Sequence, residues 1–301
     1  MEKSKVLFTR EITPETPVKM YELLGKELGG NIAVKLHSGE KGNQNFLRPE
    51  FWKPMIEKVG GTVVECNTAY GDYYKNGVRD TTASHLKLIE YHGWSKYFTV
   101  DLMDAEGPDA VLEIPDGKIL KTNPVGKNLL NYDSMLVLSH FKGHPRGGYG
   151  GALKQLSIGC ASSKGKALIH SGGKTDERLK AWDPDIHADK VVFTEAMADA
   201  AASVVRLFKG EIVYINVMKN LSVDCDCMSK AEDPCMKDIG ILASLDPVAL
   251  DRACMDLIYA SKDPGRDHFL ERVQTRNGEH TIEAAAALGI GSMDYVCECI
   301  D

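Results

Sequence analysis

Two short apolar runs on either side of a helical stretch constrain the fold of this chain more than any other feature of its sequence. Residues 31–37 (NIAVKLH) and 62–67 (TVVECN) are rich in β-branched residues and are typical of buried strands. Between them, residues 49–59 predict a helix that ends at Gly60 and Gly61. A strand, a helix and a strand in this order form a βαβ unit, so we expect the two strands to lie parallel in one sheet.

The alternation of strands and helices continues through the second half of the chain. Residues 134–140 and 211–217 are further candidates for buried strands. Thr194 is expected to cap a helix that ends at Gly210, and Asp246 is expected to cap the next helix. Together these elements predict an α/β fold with a mainly parallel sheet flanked by helices.

The length and composition of the chain fit this fold class. The chain has 301 residues, of which 43% are hydrophobic and 26% are charged, as is ordinary for a globular protein. We expect residues 1–301 to form a single domain, and any division into two lobes to fall near residues 125–135. The 36 basic and 43 acidic residues give a net charge of −7, which argues against nucleic acid as a partner.

The sequence shows neither a membrane span nor a signal peptide. Its longest apolar stretches, such as residues 239–245 and 284–288, are far shorter than the roughly 18–20 residues of a transmembrane helix. The first residues (MEKSKVLFTREITPETP) contain no apolar segment of the kind that a signal peptide needs. We therefore expect a cytoplasmic protein without a membrane partner, whose eight cysteines are reduced rather than paired in disulfides.

A glycine-rich and positively charged segment follows the predicted strand at residues 134–140. Its backbone amides can form a nest for an anion, although a solvated loop is the plain alternative. The segment lacks the ending of a Walker loop, and Leu153 breaks the G-x-G-x-x-G spacing. Lys142 and His144 are the candidates for catalysis in this segment. The candidates for binding an anion or cofactor are His140, Arg146, Gly148, Gly150 and Lys154.

Three cysteines lie within eleven residues in a second segment, DCDCMSKAEDPCMKD. In an extended chain, residues two apart point to one face, so Cys225 and Cys227 can present both sulfurs together, and Cys235 returns after a turn. Three thiolates suit a soft metal or an iron–sulfur cluster, and Cys160 is the natural fourth ligand. Because the spacing is that of neither a ferredoxin nor a zinc ribbon, buried thiols without a metal are an equal alternative.

The end of the first predicted strand carries a third group of candidates. Lys35 and His37 point to one side if the strand continues, and Glu40 follows in the next loop. A lysine, a histidine and a carboxylate at the carboxyl end of a strand suit anion binding and proton transfer, so we treat all three as catalytic candidates. A salt-bridged strand end is the structural alternative.

The remaining cysteines are expected to be structural. Cys66 lies in a strand-like run, and Cys254 lies on the apolar stripe of the helix after Asp246, so both should be core residues. Cys297 and Cys299 share one face of a terminal extended segment and are expected to pack rather than to bind a metal.

Several of these segments resemble, in sequence and in order, a bacterial and archaeal iron–sulfur-associated family catalogued as domain of unknown function 362. The resemblance implies an α/β fold and a link to iron–sulfur chemistry, with a cluster of the 4Fe-4S type and a redox partner protein. Many relatives insert a ferredoxin module after the HSGGK segment, and this chain has none at that place. The matching segments are residues 34–40, 47–51, 66–70, 138–166 and 223–253.

Three functions therefore compete at this stage. The first is an iron–sulfur protein that binds its cluster through Cys160, Cys225, Cys227 and Cys235, beside a basic loop that binds a small anionic molecule. The second is a zinc enzyme that uses the same thiolates. The third is a binding module for an anionic metabolite that performs no chemistry. A homodimer is expected only because homodimers are common.

Overall fold

The fold is described by a computed structural model that covers residues 3–70, 77–107 and 109–301. The strands are β1 (Ser4–Thr9), β2 (Ile32–Lys35), β3 (Thr62–Glu65), β4 (Val100–Leu102), β5 (Ala110–Glu113), β6 (Thr122–Val125), β7 (Ser134–His140), β8 (Lys142–His144), β9 (Gly148–Gly150), β10 (Ile212–Met218), β11 (Gly240–Ser244) and β12 (Tyr295–Cys299). The α-helices are α1 (Thr16–Leu24), α2 (Pro49–Val59), α3 (Thr82–Tyr91), α4 (Ala152–Lys154), α5 (Ser163–His170), α6 (Lys190–Phe208), α7 (Pro247–Ala260), α8 (Arg266–Thr275) and α9 (His280–Ala287).

A large sheet of eight described strands organises the molecule, in the order β12-β1-β11-β10-β7-β2-β3-β4. Strand β11 pairs antiparallel with both of its neighbours, and the other five pairings of this sheet are parallel. The predicted βαβ unit is present, since β2 and β3 are parallel neighbours joined through α2. The predicted α/β fold with a mainly parallel sheet is confirmed.

Both faces of this sheet are covered, which explains why its central strands are apolar along their whole length. In β7, Met135 and Val137 face one hydrophobic cluster, whereas Leu136 and Leu138 face the other. Side chains of α6, α7, α8 and α9 belong to the first cluster, and side chains of α1, α2 and α3 belong to the second. All seven residues of β7 and of β10 are buried, as is typical of parallel strands between two helical layers.

The caps of two helices show how well local sequence rules locate element ends. Asp246 caps α7 as predicted, because its carboxylate accepts hydrogen bonds from the first backbone N–H groups of the helix. The prediction for α6 is wrong: the cap is Asp189, and Thr194 lies inside the helix. The Thr194 hydroxyl donates to the carbonyl of Lys190 instead of capping.

The glycine-rich segment forms an antiparallel hairpin of β8 and β9 rather than an open loop. A Cβ at Gly143 would lie 2.3 Å from the carbonyl oxygen of Val223, so only glycine allows this close approach. Gly148 has a φ of +77° and packs against Gly278. Gly143 and Gly148 therefore serve close backbone packing, and a Cβ at Gly150 would lie 3.1 Å from the Lys154 side chain. The role of Gly148 and Gly150 in binding an anion stays a prediction.

Two further features bear on the expectations from sequence. None of the helices in the described ranges is both long enough and apolar enough to cross a membrane. The predicted lobe boundary, near residues 125–135, falls between β6 and β7. The division into lobes stays a prediction.

Candidate functional site

A cavity of about 430 Å³ opens at the carboxyl ends of β2 and β3. The chain runs from β2 to β3 on one side of β2 and later returns to β7 on its other side, so the cavity lies beside a reversal of strand order. Such a switch point is where open α/β sheets bind their ligands. Lys35 and Glu65, the last residues of β2 and β3, both line the cavity.

Half of the residues proposed from sequence line this cavity, and half do not. The lining residues among them are Lys35, His37, Glu40, His144, Arg146, Lys154 and Cys227. The residues that are not part of the lining are His140, Lys142, Gly148, Gly150, Cys160, Cys225 and Cys235. The segments after β2, after β8 and around the C-x-C pair therefore meet in one place.

The C-x-C pair forms a compact group with His144. One ligand atom from each of His144, Cys225 and Cys227 lies within 4.8 Å of the other two, and this is the only group of its kind among the residues that the structure describes. Cys227 is partly buried and lines the cavity, whereas Cys225 is fully buried behind it. These three residues could hold a metal ion.

The environment of Cys225 favours the thiolate form. Its sulfur accepts the backbone N–H of Cys227 at 3.3 Å and the Lys154 ammonium group at 3.5 Å. Burial raises the pKa of Cys225, but the hydrogen bond from Cys227 and the charges of Lys154 and His144 outweigh it and bring the pKa well below its ordinary value. The pKa of Cys227 is raised, first by its hydrogen bond to Cys225 and then by burial. The surroundings thus favour the thiolate form of Cys225 and the thiol form of Cys227.

The ring of His144 is oriented by the hairpin that carries it. Its Nδ1 accepts backbone N–H groups of Arg146 at 3.2 Å and of Gly147 at 2.8 Å. A ring nitrogen that accepts carries no proton, so the neutral ring carries its proton on Nε2 and donates it to Cys225. Burial, reinforced by the charge of Lys154, lowers the pKa of His144 to about 4, so the ring is neutral at pH 7.

Asp226, the residue between the two cysteines, fixes the C-x-C segment from behind. Its buried carboxylate lies 2.7 Å from the Lys142 ammonium group and 3.0 Å from Nδ1 of His140. Burial raises the pKa of Asp226, but His140 and Lys142 outweigh it and hold the pKa below its ordinary value. His140 and Lys142 therefore contact the segment that carries the two cysteines and are not among the residues that line the cavity. Their expected roles in anion binding and catalysis stay predictions.

Cys160 and Cys235 lie outside the group formed by Cys225, Cys227 and His144. The Cys160 thiol donates to the carbonyl of Gln155 at 3.5 Å, and the Cys235 thiol donates to the carbonyl of Leu221 at 3.3 Å. Burial raises the pKa of Cys160 and of Cys235 to about 11, so both are protonated thiols. The structure does not bring the four proposed cysteine ligands together.

The structure adds charged residues that the sequence reasoning missed. Glu65 lies 3.1 Å from Lys35, and Arg79 lies 3.1 Å from Glu40, in two buried ion pairs on the cavity wall. The position of Glu65 at a strand end could have revealed it, but no local signal marks Arg79. The described lining contains two glutamates, Glu40 and Glu65, against five basic residues: Lys35, Arg79, Arg146, Lys154 and Lys166.

An aromatic group forms another part of the wall. The His170 ring lies 4.8 Å from the ring of Trp182 and 4.9 Å from that of Phe193. Burial, followed by the charge of Arg146, keeps the pKa of His170 well below its ordinary value. His170 and His144 are thus neutral, and the positive charge of the cavity comes from lysine and arginine.

The remaining cysteines behave as expected for structural residues, with one difference. Cys66 and Cys254 are buried, and the Cys254 sulfur accepts a hydrogen bond from the Asn216 side chain at 3.4 Å. Cys297 and Cys299 lie on the edge strand β12 and are exposed, so they do not pack into the core.

The fold and the site together define an α/β protein with a basic cavity at the carboxyl ends of parallel strands and a His/Cys/Cys group beside it. Residues 32–256 match the family described as Domain of unknown function (DUF362), and the chain belongs to this family. The match includes β2, the hairpin and the C-x-C segment. The comparison with curated proteins finds no match.

Solved structures show a remote likeness. One is the lactate racemase apoprotein from Thermoanaerobacterium thermosaccharolyticum, which is 13% identical, with a TM-score of 0.44 over 70% of this chain and 50% of that one. Another is a protein from Thermotoga maritima, also 13% identical, with a TM-score of 0.42 over 91% of this chain and 58% of that one. The chain thus matches between half and three fifths of the length of these structures.

Proposed function

We propose that the protein is a metal-dependent enzyme that holds one soft metal ion, such as zinc, on the sulfurs of Cys225 and Cys227 and acts on a small anionic molecule in the cavity. The observation that carries this proposal is the stabilised Cys225 thiolate beside a second cysteine at the cavity wall. A thiolate is the form of cysteine that binds metals.

The position of the two sulfurs favours a catalytic rather than a structural ion. Structural zinc sites are closed by four protein ligands, whereas catalytic sites leave a position for water or substrate. Two cysteines and one histidine form the whole group in the described part of the chain, and Cys227 and His144 both line the cavity. His144 can serve as a ligand only when its Nε2 gives up the proton that it donates to Cys225.

The charge of the cavity supports an anionic substrate. In the described part of the lining, five basic side chains against two glutamates attract a carboxylate or a phosphate into a space of about 430 Å³. A bound metal ion would act as a Lewis acid toward such a molecule. Burial keeps the pKa of His144 and of His170 below the ordinary value, so both rings are neutral at pH 7 and the charge that attracts the anion belongs to lysine and arginine.

An iron–sulfur cluster on four cysteines is the competing proposal. It would need Cys160 and Cys235 to join Cys225 and Cys227, and both of these thiols are protonated and bonded to backbone carbonyls elsewhere. To bind a cluster, the thiols of Cys160 and Cys235 would therefore have to lose their protons and leave the carbonyls of Gln155 and Leu221. We infer that a single ion on the C-x-C pair fits the residues better.

The proposal is tested by metal loading of matched cysteine variants. Apoprotein is titrated anaerobically with Co²⁺, whose charge-transfer absorption reports thiolate ligands, and separately with Zn²⁺, followed by metal analysis. We expect one ion per chain in the native protein and in Cys235→Ser, and loss of the thiolate signal in Cys227→Ser.

A second arm tests the competing proposal directly. The native protein is incubated anaerobically with Fe²⁺ and sulfide and then desalted. Retention of stoichiometric inorganic sulfide, lost in Cys235→Ser as well as in Cys227→Ser, would overturn the single-ion site in favour of a cluster.

A further inference from the structure

Lys166 is the lysine of the cavity that lacks a negatively charged partner. It lies on α5, is 7% exposed and lines the cavity. Its ammonium nitrogen donates to the backbone carbonyl of Ala161 at 2.6 Å. It makes no ion pair with a carboxylate in the residues that the structure describes. This leaves a buried amine with unused hydrogen-bonding capacity at the cavity wall.

The two other lysines of the described lining have a different environment. Lys35 is paired with Glu65 at 3.1 Å, and Lys154 lies 3.5 Å from the Cys225 sulfur. Burial lowers the pKa of Lys166, and the positive charge of Lys35 acts in the same direction. For Lys154, the negative charge of Cys225 outweighs burial and raises the pKa. The amine of Lys166 therefore loses its proton more readily than that of an ordinary lysine.

Once it has lost its proton, a buried amine on a cavity wall is a nucleophile. Lysines that are desolvated or placed beside another cation are the ones that form imines with carbonyl substrates. The excess of basic residues around Lys166 would hold the carboxylate of a substrate that also carries a carbonyl group. A small 2-oxo acid has both groups on neighbouring carbons and fits the cavity volume of about 430 Å³.

We propose that Lys166 forms an imine with the carbonyl carbon of a small 2-oxo acid bound in the cavity. The nitrogen lone pair attacks the carbonyl carbon, and the carbonyl oxygen takes up a proton to give a carbinolamine. The carbinolamine then loses its hydroxyl group, which leaves as water after taking up a second proton, and a carbon–nitrogen double bond forms. Over the two steps the amine gives up two protons, and these balance the two protons that the departing oxygen takes up. This inference rests on the anionic substrate of the proposed function and is independent of the metal ion.

The imine is tested by reductive trapping in the native protein. The protein is incubated at pH 7 with glyoxylate or pyruvate and sodium cyanoborohydride, which delivers hydride to the imine carbon, and the modified peptide is mapped by mass spectrometry. We expect a single adduct on Lys166. The exposed Lys164, two residues away on the same helix, is the internal control and should stay unmodified.

Matched variants separate this inference from the metal site. Lys166→Met should lose the adduct, Lys164→Gln should keep it, and Cys227→Ser should keep it even without metal. A label that is absent from Lys166 with both oxo acids, or that is equal on Lys164 and Lys166, would overturn the imine. Loss of metal binding in Cys227→Ser with the adduct unchanged would support both proposals separately.

Discussion

At the scale of single residues, environment decides which cysteines can do chemistry. The chain has eight cysteines of the same intrinsic reactivity. Cys225 gains an N–H donor, an ammonium group and a neighbouring thiol, and it becomes a thiolate. Cys160 and Cys254 are equally buried, and in both of them burial outweighs the nearby donors and charges, including the hydrogen bond from Asn216 to Cys254, so the pKa of both is raised. The spacing of the cysteines indicated the C-x-C pair. It could not show that the pKa of Cys225 is lowered and that of Cys160 is raised, because the charge of Lys154 and the ring of His144 come from distant parts of the chain.

The buried ion pair behind the C-x-C segment leads to a prediction on stability. Lys142→Met should lower the free energy of unfolding by about 3–5 kcal/mol, because it removes the ammonium group that pairs with the buried Asp226 carboxylate, while the His140 ring stays 3.0 Å away. Urea denaturation measures this loss. Lys219→Met is the matched control, since its pair with Asp238 is about one third exposed and should contribute less than about 1 kcal/mol.

The same variant should also weaken metal binding, because Asp226 fixes the backbone between the two cysteines. A Lys142→Met protein that is as stable as the native protein, with unchanged Co²⁺ affinity, would show that this ion pair does not position the site.

At the scale of elements, local sequence rules located the strands β2, β3, β7 and β10 and the helices α2, α6 and α7, but not the purpose of the hairpin. The βαβ unit, strands β7 and β10 and the Asp246 cap follow from apolar runs and capping residues, which act over a few neighbours. The role of Gly143 depends on Val223, eighty residues later in the chain, so the glycine-rich segment was expected to be a loop. Packing partners of this kind are invisible to local rules.

The close approach at Gly143 gives a prediction on the hairpin. In Gly143→Ala the added Cβ would meet backbone atoms of Val223 within 2.5 Å, so we expect a loss of about 1–3 kcal/mol in unfolding free energy and a weaker metal site. Thermal unfolding and Co²⁺ titration measure the two effects. Gly29→Ala is the control, because a Cβ there meets no atom within 4 Å. Equal stability of the two variants would contradict the packing role.

At the scale of the whole molecule, the sheet brings together residues that are far apart in the chain. Lys35, Arg79 and Lys166 meet Cys227 in one cavity because β2, β3 and the later segments end on the same edge. The α/β architecture could be predicted, since it depends on the order of apolar runs. From the sequence, only the part of the cavity wall at the strand ends could be predicted. Arg79 and Lys166 lie outside the strands, and their positions in the wall depend on packing between segments that are distant in the chain.

The buried histidines make the stability of the whole fold depend on pH. Burial lowers the pKa of His85 to about 3 and of His144 to about 4, below the value of about 6.5 in the unfolded chain. The folded state therefore binds fewer protons than the unfolded state below pH 6.5, and stability is lost as the pH falls from 6.5 toward these values. Each such histidine contributes up to about 1.4 kcal/mol per pH unit to the slope of the unfolding free energy against pH.

We expect His85→Gln to flatten this dependence. The variant removes the proton-binding group while keeping a polar side chain near Asn67, the partner of His85 at 3.2 Å. Urea denaturation at pH 4.5 and at pH 7 should show a smaller difference in unfolding free energy for the variant than for the native protein. An identical difference in the two proteins would mean that His85 does not contribute to acid sensitivity.

The central claim is that one metal ion binds at the C-x-C pair, and X-ray absorption at the zinc edge of the zinc-loaded protein tests it most directly. We expect two sulfur neighbours at about 2.3 Å, with nitrogen or oxygen atoms completing the coordination. Cys235→Ser should give the same spectrum. A site with four sulfur neighbours, or one in which the sulfur signal survives in Cys227→Ser unchanged, would contradict the assignment.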